Sequence, residues 1–210
     1  MKKKIAEYYD NLYSQQEYTF GGEKGEPTDI VIDALKYINS GKVLDIGAGE
    51  GRNSLFLAEK GFEVEAVDIS EVGIKKLKNS AKEKELKIKV KIADLNEIDL
   101  DDSYDMIVCS FITHHFIRDD VVRLFEKMKK HTNYNGLNVI SSFTKDGDFF
   151  SANPTTDKYY PAKGEIKDFY KDWAILEYRE EKSKTRKTHP DGSPMFNFSS
   201  LMITQKKLSG

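Results

Sequence analysis

Asp45-Ile46-Gly47-Ala48-Gly49-Glu50-Gly51 constrains this chain more than any other stretch. It follows Val43-Leu44, a short apolar run with strand character, and leads directly into a helical pattern from Asn53 to Lys60 that Gly61 stops. Three alternating glycines let the backbone turn sharply and pass where a side chain would clash with a bound molecule. The helix behind them turns its free N–H groups and positive dipole end toward the same place. A strand, a glycine turn and a helix in this order fit a nucleotide-like cofactor. The bland alternative is a glycine-rich connection with no ligand.

The surroundings set the fold class. Thr28 is placed to cap a helix with Ile30, Val31, Ala34, Leu35 and Ile38 on one face, ended by Gly41. After the glycine turn come a strand over 64–67, a helix over 71–84 capped by Ser70, and a strand over 88–93. A strand over 105–109, a helix from about 120 to 130 and a strand over 137–143 continue the series. This alternation predicts an α/β fold, Rossmann-like and doubly wound, with a mostly parallel seven-stranded sheet covered on both faces. The tail differs: a loop over 147–163, a short helix over 165–171, then extended runs over 174–180 and 198–204 about an Asp191-Gly192 turn. It reads as an antiparallel hairpin closing the sheet edge, with 182–187 as a charged loop. We expect one domain over 1–210: an N-terminal cap or lid segment (1–27), a cofactor-binding core (28–143), and the short helix with its hairpin (144–210).

Composition excludes several classes. Lys and Arg number 33 against 35 Asp and Glu, so the marked basicity of a dedicated nucleic-acid binder is missing. Cys109 is the single cysteine and sits in an apolar run, which excludes a disulfide framework and reads as a small buried hydrophobe. No apolar stretch approaches the ~18 residues of a membrane span, and no secretory pattern follows the basic N-terminus. A cytoplasmic protein acting on a small molecule, monomeric or homodimeric, with no nucleic-acid or membrane partner and no metal, is the expectation.

Two more carboxylates sharpen the cofactor. Asp68 ends the second strand, 23 residues after Asp45, where an acid can bind both ribose hydroxyls. Asp94 ends the third and is followed by Leu95, placed to meet the edge of an adenine. A nicotinamide dinucleotide suits Gly-x-Gly-x-x-Gly, yet Arg52 stands where the third glycine belongs and an acid opens the motif. Asp45 suits a ligand carrying a cationic amino or sulfonium group. S-adenosylmethionine has both groups, together with the ribose and adenine that Asp68 and Asp94 could read. Two rivals stay open: a nicotinamide-dependent oxidoreductase, and a protein that binds S-adenosylmethionine without turning it over.

With these motifs the chain resembles the class I S-adenosylmethionine-dependent methyltransferases over about residues 28–143. More narrowly, Gly51-Arg52-Asn53-Ser54-Leu55-Phe56-Leu57-Ala58, Gly61-Phe62-Glu63-Val64 and the later Gly164-Glu165-Ile166 with Tyr170 and Trp173 are similar to the tellurite-resistance (TehB-like) methyltransferases. The resemblance implies that Asp45, Gly47, Ala48 and Gly49 hold the methionine half of the cofactor, with Arg52 and Asn53 beside them. It implies that Asp68 and Ile69 flank the ribose and adenine, that Asp94 and Leu95 lie at the adenine edge, and that Ser110 and Phe111 contact the cofactor past strand four. The narrower family is associated with tellurite or selenite as acceptor and carries a His-Arg pair before its last hairpin. Here Arg186-Lys187 stands in that register, so the cation is present without the imidazole.

Methyl transfer asks mainly that an acceptor lone pair be held ~3 Å from an already activated methyl with water excluded. Phe111, Thr113, His114 and His115 lie near the strand-four crevice. Adjacent histidines point different ways, so at most one of the two faces the acceptor, a solvated or helix-capping histidine being the alternative; His115 and Arg186 are the residues assigned to catalysis. Tyr8, Tyr9, Tyr13, Tyr18 and Phe20, ending in Gly21-Gly22, form either a hinged lid or a packed amphipathic helix.

Overall fold

The computed structural model describes residues 2–207, apart from 23–24, 96, 101, 153 and 155–156, and apart from the side chains of Lys2 and Arg186. Its centre is a seven-stranded sheet in the order β3-β2-β1-β4-β5-β7-β6. The strands are β1 (Lys42–Ile46), β2 (Glu63–Asp68), β3 (Ile88–Ile92), β4 (Tyr104–Ser110), β5 (Thr132–Phe143), β6 (Ala174–Thr188) and β7 (Pro194–Gln205). The first five pair in parallel, and β7 runs antiparallel to both β5 and β6.

Alternation along β1 and β4 divides the core. Val43, Met106 and Val108 face one cluster with Ile30, Val31 and Leu57, which come from α2 (Asp29–Ala34) and α3 (Arg52–Glu59). Leu44, Ile46, Ile107 and Cys109 face the other, with Val121, Leu124, Phe125 and Met128 of α5 (Arg118–Lys130) and Ile166 of α7 (Glu165–Asp168). Ile74 and Leu77 of α4 (Glu71–Glu83) pack on Ala48 and Ala66 beside the first cluster. Both faces of the central strands are covered, so their near-continuous apolar runs are explained. Cys109 is fully buried, and burial pushes its thiol up to about 12.

Several boundaries differ from the sequence reading. The first expected helix stops at Ala34; Leu35, Lys36 and Tyr37 instead donate to the carbonyls three residues back and turn the chain into β1. Leu35 and Ile38 still pack on the core, which is why they matched a helical face. β5 starts at Thr132, five residues early, because Thr132 pairs with Tyr104 before a register shift. The loop over 147–163 contains a one-turn helix, α6 (Asp148–Ser151), and α7 is shorter than expected.

The expected charged loop over 182–187 is the outer half of β6. Lys182 pairs with Phe198 and Lys184 with Phe196 across the ladder, and the Lys182 ammonium lies 4.2 Å from the centroid of Phe196. A row of lysines on an edge strand is a common way to keep that edge from pairing with another chain.

The N-terminal segment forms α1 (Lys2–Ser14), which packs against α4. No helix among the described residues is long and apolar enough to cross a membrane. Among the described residues no group of three His, Cys, Asp or Glu side chains is placed to hold a metal ion.

Candidate functional site

The glycine turn sits at the carboxyl ends of β1 and β2, where the strand order reverses between β1 and β4. Gly47, Gly49 and Gly51 have φ of 72°, 58° and 92°. A Cβ added at Gly47 would lie 2.4 Å from Ile112, and one at Gly49 2.4 Å from the Tyr13 hydroxyl. Both conformation and space therefore demand glycine at these two positions. Gly51 precedes α3 in a left-handed conformation and offers it no side-chain cap.

Asp45 is buried beside this turn. Its Oδ2 accepts from Ser54 Oγ at 2.6 Å, while Oδ1 has no partner among the described residues. Burial raises its pKa to about 6, against the opposing effects of Ser54 and Arg52. Arg52, the first residue of α3, makes no ion pair or hydrogen bond among the described residues, and burial lowers its pKa. An orphaned carboxylate oxygen and an unpaired guanidinium beside one glycine turn match the ammonium and carboxylate of an amino acid. Those are the groups at the methionine end of S-adenosylmethionine.

Asp68 closes β2. Its Oδ2 accepts from the Gly49 amide at 2.7 Å and its Oδ1 from Ser70 N at 2.8 Å. Burial raises its pKa while these amides lower it. The carboxylate ties the glycine turn to the start of α4. Ile69 follows it, half-buried. Asp94 lies two residues beyond β3, and Leu95 packs on the larger apolar cluster. Asn53 is buried in α3, and its Oδ1 accepts from Thr28 N at 2.9 Å. The Thr28 hydroxyl makes no cap; it meets Ser110 Oγ at 3.0 Å, which links α2 to the end of β4. Phe111, next along, has φ 56°, a strained conformation for a non-glycine residue at the mouth of the site.

The acceptor side is less as expected. His115 ends a 3-10 turn (Thr113–His115), and its Nε2 shares a 2.6 Å hydrogen bond with the Tyr9 hydroxyl. Burial, with Lys158 second, lowers its pKa to about 4, so the ring is neutral. Arg186 lies on β6, but its side chain is outside the described residues; its neighbour Lys187 lies over the Phe149 ring at 5.3 Å.

The sequence reading left out what fastens α1 over the turn. Asp10 Oδ1 accepts from Ser70 Oγ, the residue whose hydroxyl also caps α4 by accepting from Gly73 N at 2.9 Å. Glu50 Oε1 accepts from the amides of Thr19 and Phe20, and its Oε2 meets Lys76 Nζ at 2.6 Å. Tyr13, only 5% exposed, lies against Gly49 and Gly73. Of these, Ser70 and the tyrosines carried a signal, as a cap and as an aromatic cluster. Glu50 carried none beyond its place between two glycines.

Comparisons with known proteins bear on the family and the fold. The family model described as "Tellurite resistance protein TehB" matches residues 7–202. A Haemophilus influenzae protein named "Probable S-adenosyl-L-methionine-dependent methyltransferase TehB" is 36% identical over 178 residues, covering 84% of this chain and 61% of its own. A same-named protein from another strain is 34% identical over 196 residues, covering 93% of this chain and 66% of its own. The chain thus spans less than two thirds of either curated relative. The crystal structure of TehB from Haemophilus influenzae superposes with a TM-score of 0.76 at 31% identity, over 96% of this chain and 67% of that one. The chain therefore belongs to the tellurite resistance protein TehB family, and its fold is the Rossmann-like one of that family's crystal structure.

Proposed function

We propose that this chain transfers a methyl group from S-adenosylmethionine to a small-molecule acceptor, with tellurite- or selenite-type oxyanions and small thiols as the first classes to screen. The observation that carries the reading is the pair of unspent polar groups at the glycine turn, Asp45 Oδ1 and the Arg52 guanidinium. When bound, S-adenosylmethionine supplies a methyl group on a positively charged sulfur.

The chain's own residues then bind, orient and exclude water. Asp45 accepts from the amino group and Arg52 pairs with the carboxylate. Asp68 holds the ribose, with Ile69 beside it and Asp94 and Leu95 at the adenine edge. Gly47, Ala48 and Gly49 let the backbone approach, and Asn53, Ser110 and Phe111 border the methionine end. Tyr9 and Tyr13 of α1 cover the turn and keep water out, with His115 as the anchor for Tyr9. Arg186 is the residue we assign to drawing in an anionic acceptor.

A thermal-shift panel with S-adenosylmethionine, S-adenosylhomocysteine, NADH and NADPH tests this. A ligand at 100 times its dissociation constant adds ~2.7 kcal/mol. A shift with the two sulfur compounds alone is expected. A shift with a nicotinamide instead would overturn the reading, and retention of S-adenosylmethionine without methyl transfer to any acceptor would leave a binding protein.

A further inference from the structure

Polar bonds, far more than packing, hold α1 on the glycine turn. Among its described side chains only Tyr13 is buried. An element with so little apolar area to hold it opens at low cost. With α1 docked, however, the groups assigned to the cofactor are closed off: Asp45 is 1% exposed and Asp68 8%, and the Tyr13 hydroxyl lies against Gly49. A molecule the size of S-adenosylmethionine reaches them only when α1 moves aside.

One ammonium and one carboxylate fasten this end of α1. Lys76 stands on α4, and its Nζ donates to Tyr13 O at 3.2 Å, to Gln16 O at 2.8 Å and to Glu50 Oε2 at 2.6 Å. All three of its protons are thereby used. Two of them satisfy carbonyls at and just beyond the C-terminal end of α1, whose own last turn holds no basic residue. Glu50, between Gly49 and Gly51, accepts with Oε1 from Thr19 N at 2.5 Å and from Phe20 N at 3.1 Å. Its side chain is buried and that of Lys76 largely covered, so the pair is shielded from salt and water. The strap over 13–20 is thus tied to a residue of the cofactor turn itself. One turn before Tyr13, Tyr9 bonds His115, so the same movement uncovers the acceptor side.

We propose that α1 and this strap form a gate on the cofactor turn, and that the Glu50–Lys76 pair is its latch, setting how fast S-adenosylmethionine enters and S-adenosylhomocysteine leaves. The inference rests on the methyl-transfer reading above for the identity of the cofactor and on these bonds for the gate. A latch that bonds the strap and not the ligand favours the closed gate equally with and without cofactor. Weakening it raises entry and escape by one factor and leaves the dissociation constant in place. Loss of a cofactor contact acts otherwise, because it raises escape alone.

The test follows S-adenosylhomocysteine on the full chain by surface plasmon resonance, with hydrogen exchange read on the same variants without ligand. Lys76→Met keeps the stem and removes the ammonium. It is expected to raise both the association and the dissociation rate at least tenfold, the worth of one charge-assisted hydrogen bond, while the dissociation constant moves less than threefold. Glu50→Gln, which keeps an oxygen for the Thr19 and Phe20 amides, should do the same to a smaller degree. Lys76→Arg should return both rates toward wild type. Exchange in α1 should quicken in Lys76→Met while β1 stays protected, which also shows that the variant is folded.

Unchanged rates in Lys76→Met would overturn the latch. Faster release with an unaltered association rate would overturn it too, by making the pair a cofactor contact. Quickened exchange in α1, with no binding of S-adenosylhomocysteine by wild-type protein, would uphold α1 as a gate and overturn the cofactor reading.

Discussion

Asp45 and His115 have pKa values displaced in opposite senses by burial, and both contribute to how the protein responds to acid. The Asp45 carboxyl, held at about 6 against 3.8, binds its proton more tightly folded than unfolded. Its ionisation therefore costs stability above about pH 6, and the cost fades as pH falls toward 4. His115, held at about 4 against 6.5, binds its proton less tightly when folded. It costs nothing above 6.5 and destabilises the fold as pH falls toward 4, with His114 acting in the same sense. Each displacement is worth on the order of 3 kcal/mol. Asp45→Asn is expected to raise the unfolding free energy at pH 8, read from urea titration, by roughly 1–3 kcal/mol, and to lose that gain by pH 4. His115→Gln should remove part of the acid lability between pH 6.5 and 4; an unaltered slope would mean the ring is not held neutral. Asp68→Ala should weaken S-adenosylmethionine at least tenfold by calorimetry, since a charge-assisted contact contributes ~1.5–3 kcal/mol. Undiminished affinity in a folded variant would remove Asp68 from the ribose.

Elements meet at the glycine turn, and α1 is the one whose docking depends on it most. Gly49→Ala combines a left-handed φ with a Cβ driven toward the Tyr13 hydroxyl. We expect it to cost about 1–3 kcal/mol and to speed hydrogen exchange in α1 while β1 stays protected. Gly61→Ala is the control: φ is also positive, at 90°, but nothing lies within 4 Å of an added Cβ. It should show the strain alone, with α1 exchange unchanged. Equal acceleration in both variants would mean that Tyr13 does not hold α1 on the turn. The same scale explains the misread boundaries. The lysines of β6 look like loop residues one by one, because their exposure suits an edge strand, and only pairing with Phe196 and Phe198 makes them strand. Leu35 and Ile38 reach the core from a turn as well as from a helix, so periodicity does not locate the end of α2.

At the scale of the molecule, the hairpin and the parallel core share one sheet through seven residue pairs between β5 and β7. Trp173 packs 5.3 Å from Tyr170, and both belong to the cluster that holds α5. Heat unfolding followed by Trp173 fluorescence and by far-ultraviolet circular dichroism should therefore give one coincident transition. A saturating S-adenosylhomocysteine concentration should raise both together by roughly 5–10 °C. A Trp173 transition that stays behind when the other moves would separate the hairpin half from the cofactor half.

The α/β class, the glycine turn and the placement of Asp45 and Asp68 at strand ends were legible in the chain itself, because each depends on local pattern: apolar runs of strand length, glycines where the backbone turns left-handed, acids at strand ends. Which histidine bonds Tyr9 was not legible. His114 and His115 are adjacent and chemically identical, and they part only because Tyr9, more than a hundred positions earlier, reaches one of them. The same holds for α1. Its aromatic stripe suits a lid and a packed helix equally, and Asp10 bonding the cap of α4 decides where it docks. Local sequence sets backbone conformation and burial, whereas the spending of each hydrogen bond is settled by partners that only the folded chain brings within 3 Å.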